Sequence, residues 1–219
     1  MHEVVARAES ERGEVVVRRR EDDSLELRVN GVFVMDTAET SSERLLARAV
    51  LDRTTGPRRV LVGGLGLGFT LRELLADPRV EHVLVAEIEP AVVEWVRAGV
   101  LPGGDLLADS RVEVVVDDVG RVVAAQPAAA CDVLLLDVDN GPDFLVYDQN
   151  AQVYQAPFLA QCRERLDRDG VLAVWSSSSS EPLSAAMTEV FGGCDVTPVE
   201  VDLQGRAERY WLYTSKMVQ

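Results

Sequence analysis

Residues 59–73 read RVLVGGLGLGFTLRE, and this stretch decides the fold. Val60, Leu61, Val62 and Gly63 form a short apolar run of the kind that becomes a buried strand. Gly64, Gly66 and Gly68 follow at alternate positions, and Thr70, Leu71, Leu74 and Leu75 open a helical pattern. Strand, glycine turn and helix together aim backbone N–H groups and a helix N-terminus at a ligand. Glycine suits such a turn because it reaches positive φ and leaves room for close approach.

The next strand strengthens that reading. His82-Val83-Leu84-Val85-Ala86 ends at Glu87, 19 positions after Gly68. A carboxylate at that distance is placed to grip the two hydroxyls of a ribose. A solvated strand end is the alternative. The spacing of the glycines is G-x-G-x-G, which departs from the dinucleotide pattern G-x-G-x-x-G and argues against a dehydrogenase.

Downstream, continuous apolar runs near 59–63, 82–87, 112–117, 131–137 and 170–175 alternate with helical patterns near 69–76, 90–98, 119–125, 150–166 and 181–191. Such alternation predicts a mostly parallel sheet with helices on both faces. Asp169-Gly170 is read as the turn into the fifth strand. Segments 196–201 and 207–214 are read as a final antiparallel pair. Ser176–Ser180, five serines, is the one low-complexity piece and is read as a helix lead-in.

Upstream, residues 3–36 read as short β structure. Residues 14–18 form one strand, and 25–29 and 32–35 form a hairpin around Asn30-Gly31. Ser41 or Ser42 is expected to cap a helix to about Asp52, with Leu45, Leu46, Ala49 and Val50 inward, ended by Gly56-Pro57. The organisation expected is a small N-terminal β domain, 1–40, and a Rossmann-like nucleoside-binding domain, 41–219.

Composition narrows the function. Of 219 residues, 47% are hydrophobic, enough for a sizeable core. The net charge of −15 disfavours nucleic acid and favours a cationic small molecule, or serves solubility alone. No apolar run is long enough to span a bilayer, and the start of the chain lacks a signal-like apolar segment. Cys131, Cys162 and Cys194 have no C-x-x-C spacing and read as small buried hydrophobes of a reducing, cytoplasmic protein.

Ligands of an open parallel sheet bind beyond the carboxyl ends of its strands. Glu87, Asp117-Asp118 and Asp137 all fall there. Asp117 and Asp118 could accept from an adenine amino group or cap the following helix. The loop Asp137-Val138-Asp139-Asn140-Gly141-Pro142 is the catalytic candidate: two close carboxylates can raise one pKa to make a general base, or bind an amine. An Asx-turn loop is the alternative. The histidines, His2 near the terminus and His82 at the start of a strand, do not sit at a strand's carboxyl end, so neither a histidine base nor a metal cluster is expected.

These residues resemble the class I S-adenosylmethionine-dependent transferases, and within them the spermidine synthase family. Thr70-Leu71-Arg72-Glu73 and Glu87-Ile88-Glu89 match that family's T-L-R-E and E-I-D. Asp118-Val119 stands for its D-A pair, Asp137-Val138-Asp139-Asn140 for its D-S-x-D loop, and LELRVNGVFVMDT (25–37) for its L-x-L-D-G-x-x-Q segment. The resemblance covers roughly residues 24–176. It implies a class I methyltransferase-like seven-stranded sheet, with Gly63, Gly64, Gly66, Gly68, Glu87, Asp117, Asp118 and Val119 around the nucleoside and Asp137, helped by Asp139, as base. The implied donor is S-adenosylmethionine or its decarboxylated form, the acceptor a small amine, and the assembly a homodimer.

The departures concern the amine grip. Leu67 stands where the family's aspartate binds the donor's aminopropyl ammonium. Val34 replaces a glutamine, Asn140 an aspartate, and the gate-helix tyrosine is lost in Thr40–Glu43. A leucine cannot pair with an ammonium. Aminopropyl transfer, methyl transfer and a non-catalytic nucleoside-binding role therefore all remain open on the sequence.

Overall fold

A computed structural model describes residues 3–217, so His2 lies outside the described residues. The N-terminal part is an antiparallel sheet of β1 (Glu3–Ser10), β2 (Gly13–Arg19), β3 (Leu25–Val29) and β4 (Val32–Asp36) in sequential order. The Asn30-Gly31 hairpin forms as expected, both residues taking positive φ. The strand β1 was not separately foreseen; it pairs with β2 across a tight turn.

Helix α1 (Ser41–Leu51) leads into β5 (Arg59–Gly63), α2 (Phe69–Ala76), β6 (His82–Glu87), α3 (Pro90–Arg97), α4 (Gly104–Leu107), β7 (Val112–Val116), α5 (Val119–Ala125) and β8 (Cys131–Leu136). A 3-10 segment (Asp148–Tyr154), α6 (Ala156–Arg165), β9 (Leu166–Ser176), α7 (Glu181–Phe191), β10 (Asp195–Leu203) and β11 (Arg206–Lys216) complete it. The seven-stranded sheet runs β10-β11-β9-β8-β5-β6-β7, and only β11 runs against the other strands, antiparallel to both its neighbours. The two central strands, β5 and β8, carry almost unbroken buried apolar residues, as a sheet covered on both faces requires. One core cluster joins Val15, Val17, Leu27 and Val29 of the small sheet to Val60, Val62 and Val133 of the large one, so the small sheet is packed onto the large one.

Four local expectations are corrected. The helix expected over 150–166 is split at Gln155, because Pro157 lacks an N–H and fits only the first turn of a helix. Asp169-Gly170 is not a turn: β9 starts at Leu166, and an irregularity opposite Cys131–Val133 absorbs those residues. Neither Ser41 nor Ser42 caps α1; Thr40 is the N-cap, without a side-chain bond, and the helix ends before Gly56. Leu45 is exposed, and Glu43 turns inward instead. The four-residue α4 was too short to show a periodicity.

Candidate active site

The glycine turn is built as its residues dictate. Gly64, Gly66 and Gly68 all have positive φ. A Cβ on Gly64 would stand 2.1 Å from the Asp137 carbonyl oxygen, and one on Gly66 would stand 2.5 Å from Met35 Sδ. Gly63 closes β5 inside the core, where a Cβ would meet Val119. Gly68 is the N-cap of α2.

A cleft of about 970 Å³, measured to its mouth, opens over the carboxyl ends of β5, β6 and β8. It is lined by seven carboxylates: Glu43, Glu87, Glu89, Asp117, Asp118, Asp137 and Asp139. Among the described residues no lysine or arginine lines it. Gly64, Gly66 and Val119 also line it, whereas Gly63 and Gly68 support the turn from behind. Leu27, Val29, Val34 and Met35 bring an apolar wall from the small sheet.

Glu87 is buried and engaged by the turn. Its Oε2 accepts the Leu65 N–H at 2.8 Å and its Oε1 the Glu89 N–H at 2.9 Å. Burial pushes its carboxyl up, and the N–H groups of Glu89, Leu65 and Gly66 oppose that. With these three N–H groups directed at it, the carboxylate keeps at least one of its lone-pair directions open for a ligand. The solvated strand end considered for Glu87 is thus not what forms.

Asp118 is the N-cap of α5 and accepts the Arg121 N–H at 3.2 Å. Asp117 pairs with the Arg121 guanidinium, which holds its carboxyl below the usual range. Capping and cleft lining therefore coexist in this pair.

Asp137 is half-buried at the end of β8. The Thr70 hydroxyl donates to its Oδ2 at 2.7 Å. Its pKa is pushed up to about 6, first by burial and then by the Glu87 charge, against the Thr70 bond. The charges that bear on it are Glu87 and, through mutual repulsion, Glu43, not the neighbouring Asp139 that the sequence suggested. Asp139 is taken up by its own loop: it accepts from the N–H groups of Asn140 (2.8 Å), Val146 (2.6 Å) and Tyr147 (3.3 Å) and from Asn150 Nδ2 (2.8 Å). Asn140 ties the same loop to the Phe33 carbonyl at 3.0 Å and, through its own carbonyl, to Ser177. The serine run is therefore a partner of this loop as well as the lead-in to α7, which Ser180 caps.

Sequence reasoning missed Glu43, Glu89, Tyr147, Asn150 and Trp175. Tyr147 donates to Glu89 Oε1 at 2.9 Å, and the Trp175 Nε1 donor is buried without a hydrogen-bond partner among the described residues. A polar residue among the apolar positions of α1 was the one available signal for Glu43. Leu67 does not line the cleft; it is 1% exposed in the core, and its N–H faces Met35 Sδ at 3.3 Å. Of the cysteines, Cys131 and Cys162 are buried and Cys194 is half-buried. Among the described residues no cluster could hold a metal, and no helix is long and apolar enough to cross a membrane.

Strand order and glycine turn define a class I methyltransferase-like fold. A family model described as the spermine/spermidine synthase domain matches residues 39–189, and the chain belongs to that family. A polyamine aminopropyltransferase of Mycobacterium tuberculosis is 34% identical over 180 residues, covering 80% of this chain and 33% of that protein. Polyamine aminopropyltransferase 2 of Ralstonia nicotianae is 29% identical over 168 residues, covering 75% of this chain and 32% of that protein. The chain thus spans about one third of the length of these relatives. The spermidine synthase from Thermotoga maritima superposes with a TM-score of 0.86 at 19% identity, covering 99% of this chain and 73% of that one. A spermidine synthase bound to the transition-state analogue AdoDATO gives 0.87 at 18%, covering 99% and 74%.

Proposed function

We propose that this protein transfers an aminopropyl group from decarboxylated S-adenosylmethionine to a small amine. The observation that carries this reading is the cleft's charge: seven carboxylates and, among the described residues, no lysine or arginine in its wall. A sulfonium donor with a terminal ammonium, and an amine acceptor, are both cations and suit such a cleft. The carboxylate of intact S-adenosylmethionine would meet Asp137 and Glu43 with like charge, while Arg12 and Arg121 are engaged by Glu89 and Asp117. Methyl transfer and a non-catalytic role gain nothing from the family membership.

In this reading Glu87 accepts from the ribose through its open lone-pair direction, while Asp118 and the Val119 backbone face the adenine. Gly64 and Gly66 of the turn line the donor's tail, and Asp117 stays with Arg121 at the rim. The acceptor nitrogen attacks the propyl carbon bonded to sulfur. The C–N bond forms, the C–S bond breaks, and methylthioadenosine leaves with the sulfur's electron pair. Asp137, ionised above its raised pKa and oriented by Thr70, takes the proton the acceptor nitrogen gives up. Asp139 holds the loop that carries Asp137. A homodimer and a cytoplasmic location are part of the same reading, taken from the family.

The test is product formation. Decarboxylated S-adenosylmethionine with a series of α,ω-diamines should release methylthioadenosine and a mono-aminopropylated amine, followed by mass spectrometry. Turnover only with S-adenosylmethionine, giving a methylated product, overturns the proposal, as does the absence of turnover with either donor.

A further inference from the structure

We propose that Glu43, on the first turn of α1, is the carboxylate that binds the terminal ammonium of the donor's aminopropyl group in this chain, in place of the glycine-turn residue occupied here by Leu67. This inference rests on the aminopropyl-transfer reading above. Leu67 offers no charge, and its side chain is turned away from the cleft into the core.

Glu43 occupies the same corner from the opposite side. Thr70, three residues beyond Leu67, has its hydroxyl 3.3 Å from the Glu43 carbonyl and 2.7 Å from Asp137 Oδ2, so Glu43 and Asp137 flank one residue of α2. The Glu43 side chain lines the cleft and is 7% exposed. Its hydrogen-bond donor is the Ser42 hydroxyl, at 2.7 Å, and among the described residues no cation pairs with it.

A buried carboxylate with one neutral donor and a like-charged neighbour is costly unless a cation joins it. Burial and Asp137 indeed push Glu43 up to about 7. An ammonium set between Glu43 and Asp137 relieves both penalties at once. The apolar residues Val34 and Met35 on the same cleft wall suit a propyl stem.

Calorimetry with three ligands tests this: the 5′-(3-aminopropylthio) analogue of adenosine as the charged donor without its sulfonium, methylthioadenosine, and the 5′-propylthio analogue, which keeps the stem and lacks the ammonium. Glu43→Gln should weaken the first roughly ten- to hundredfold, the range of a lost charge-assisted bond, and leave the other two within about twofold. Glu43→Asp, which keeps the charge on a shorter arm, should recover part of the loss. Equal loss on all three ligands, or no loss on any, overturns the assignment while leaving the transfer reading in place. A wild-type protein that binds the propylthio analogue as well as the aminopropylthio analogue removes both.

Discussion

The Thr70 hydroxyl and the Asp137 carboxylate meet at 2.7 Å across 67 positions of sequence, joining the first turn of α2 to the end of β8. The contact couples the glycine turn to the loop acid. A hydroxyl has one hydrogen, and the shorter of its two contacts takes it, so Thr70 stabilises the charged form of Asp137. Burial works against that and wins, since the pKa settles near 6.

The pH profile follows with a definite sign. A base must be ionised, and so must the carboxylate that binds the donor's ammonium, so kcat/KM should rise with pH from about 6 to about 7 as Asp137 and then Glu43 ionise, and level off above that. Thr70→Val removes the bond that lowers the Asp137 pKa, and the rising limb should move to higher pH while the plateau changes less. Asp137→Asn should cost about 10²- to 10⁴-fold in kcat and leave methylthioadenosine binding nearly intact. Full activity in Asp137→Asn would remove it as the base.

For Glu87, substitution by glutamine is cleaner than by alanine. Alanine strips acceptors from the Leu65 and Glu89 N–H groups and disturbs the turn itself. Glu87→Gln should weaken adenosine-type ligands by about 1–3 kcal/mol through lost charge-assisted bonds. Calorimetry with methylthioadenosine reads this, and unchanged affinity would place the ribose elsewhere.

Asp139 has positive φ, which asparagine tolerates, so Asp139→Asn isolates the hydrogen bonds from the backbone strain. Four donors converge on this carboxylate, and an amide cannot accept all of them. A loss of about 1–3 kcal/mol is expected, at roughly 2–4 °C in Tm per kcal/mol for a chain of this size. Faster amide exchange should concentrate at Asn140, Val146 and Tyr147, whose backbone N–H groups donate to this carboxylate. An unchanged exchange pattern would mean that other contacts hold the loop.

Glu43 also makes a stability prediction. Its folded pKa is raised from 4.5 to about 7, so the native state binds this proton more tightly than the unfolded chain does. Stability then falls as pH rises from about 4.5 to 7 and is flat above. Glu43→Gln removes the penalty: it should raise Tm at pH 8 and change it little at pH 4.5. Each pKa unit corresponds to about 1.4 kcal/mol, which puts the upper bound at about 3 to 4 kcal/mol. Thermal melts of the unliganded protein at the two pH values check it.

Much of this molecule is legible from local signals. The run from Val60 to Leu75 sets strand, turn and helix through hydrophobic period and glycine chemistry, both of which act over a few residues. The ends of β5, β6, α2, α5 and α7 follow from the same rules, and the strand ends place Glu87, Asp118 and Asp137 at one edge. Tertiary packing decided what those acids do. It set Glu87 against the N–H groups of the turn and turned Leu67 into the core, whereas the Asp118 cap is a contact three residues long that the sequence already offered. Packing also carried Glu43, on a helix outside the glycine-turn motif, into the cleft. The physical reason is range: backbone propensity and periodicity are properties of neighbours in sequence. Which carboxylates share a cavity, and hence which are desolvated or repelled, depends on contacts tens of residues apart that arise only when the two sheets and their helices pack together.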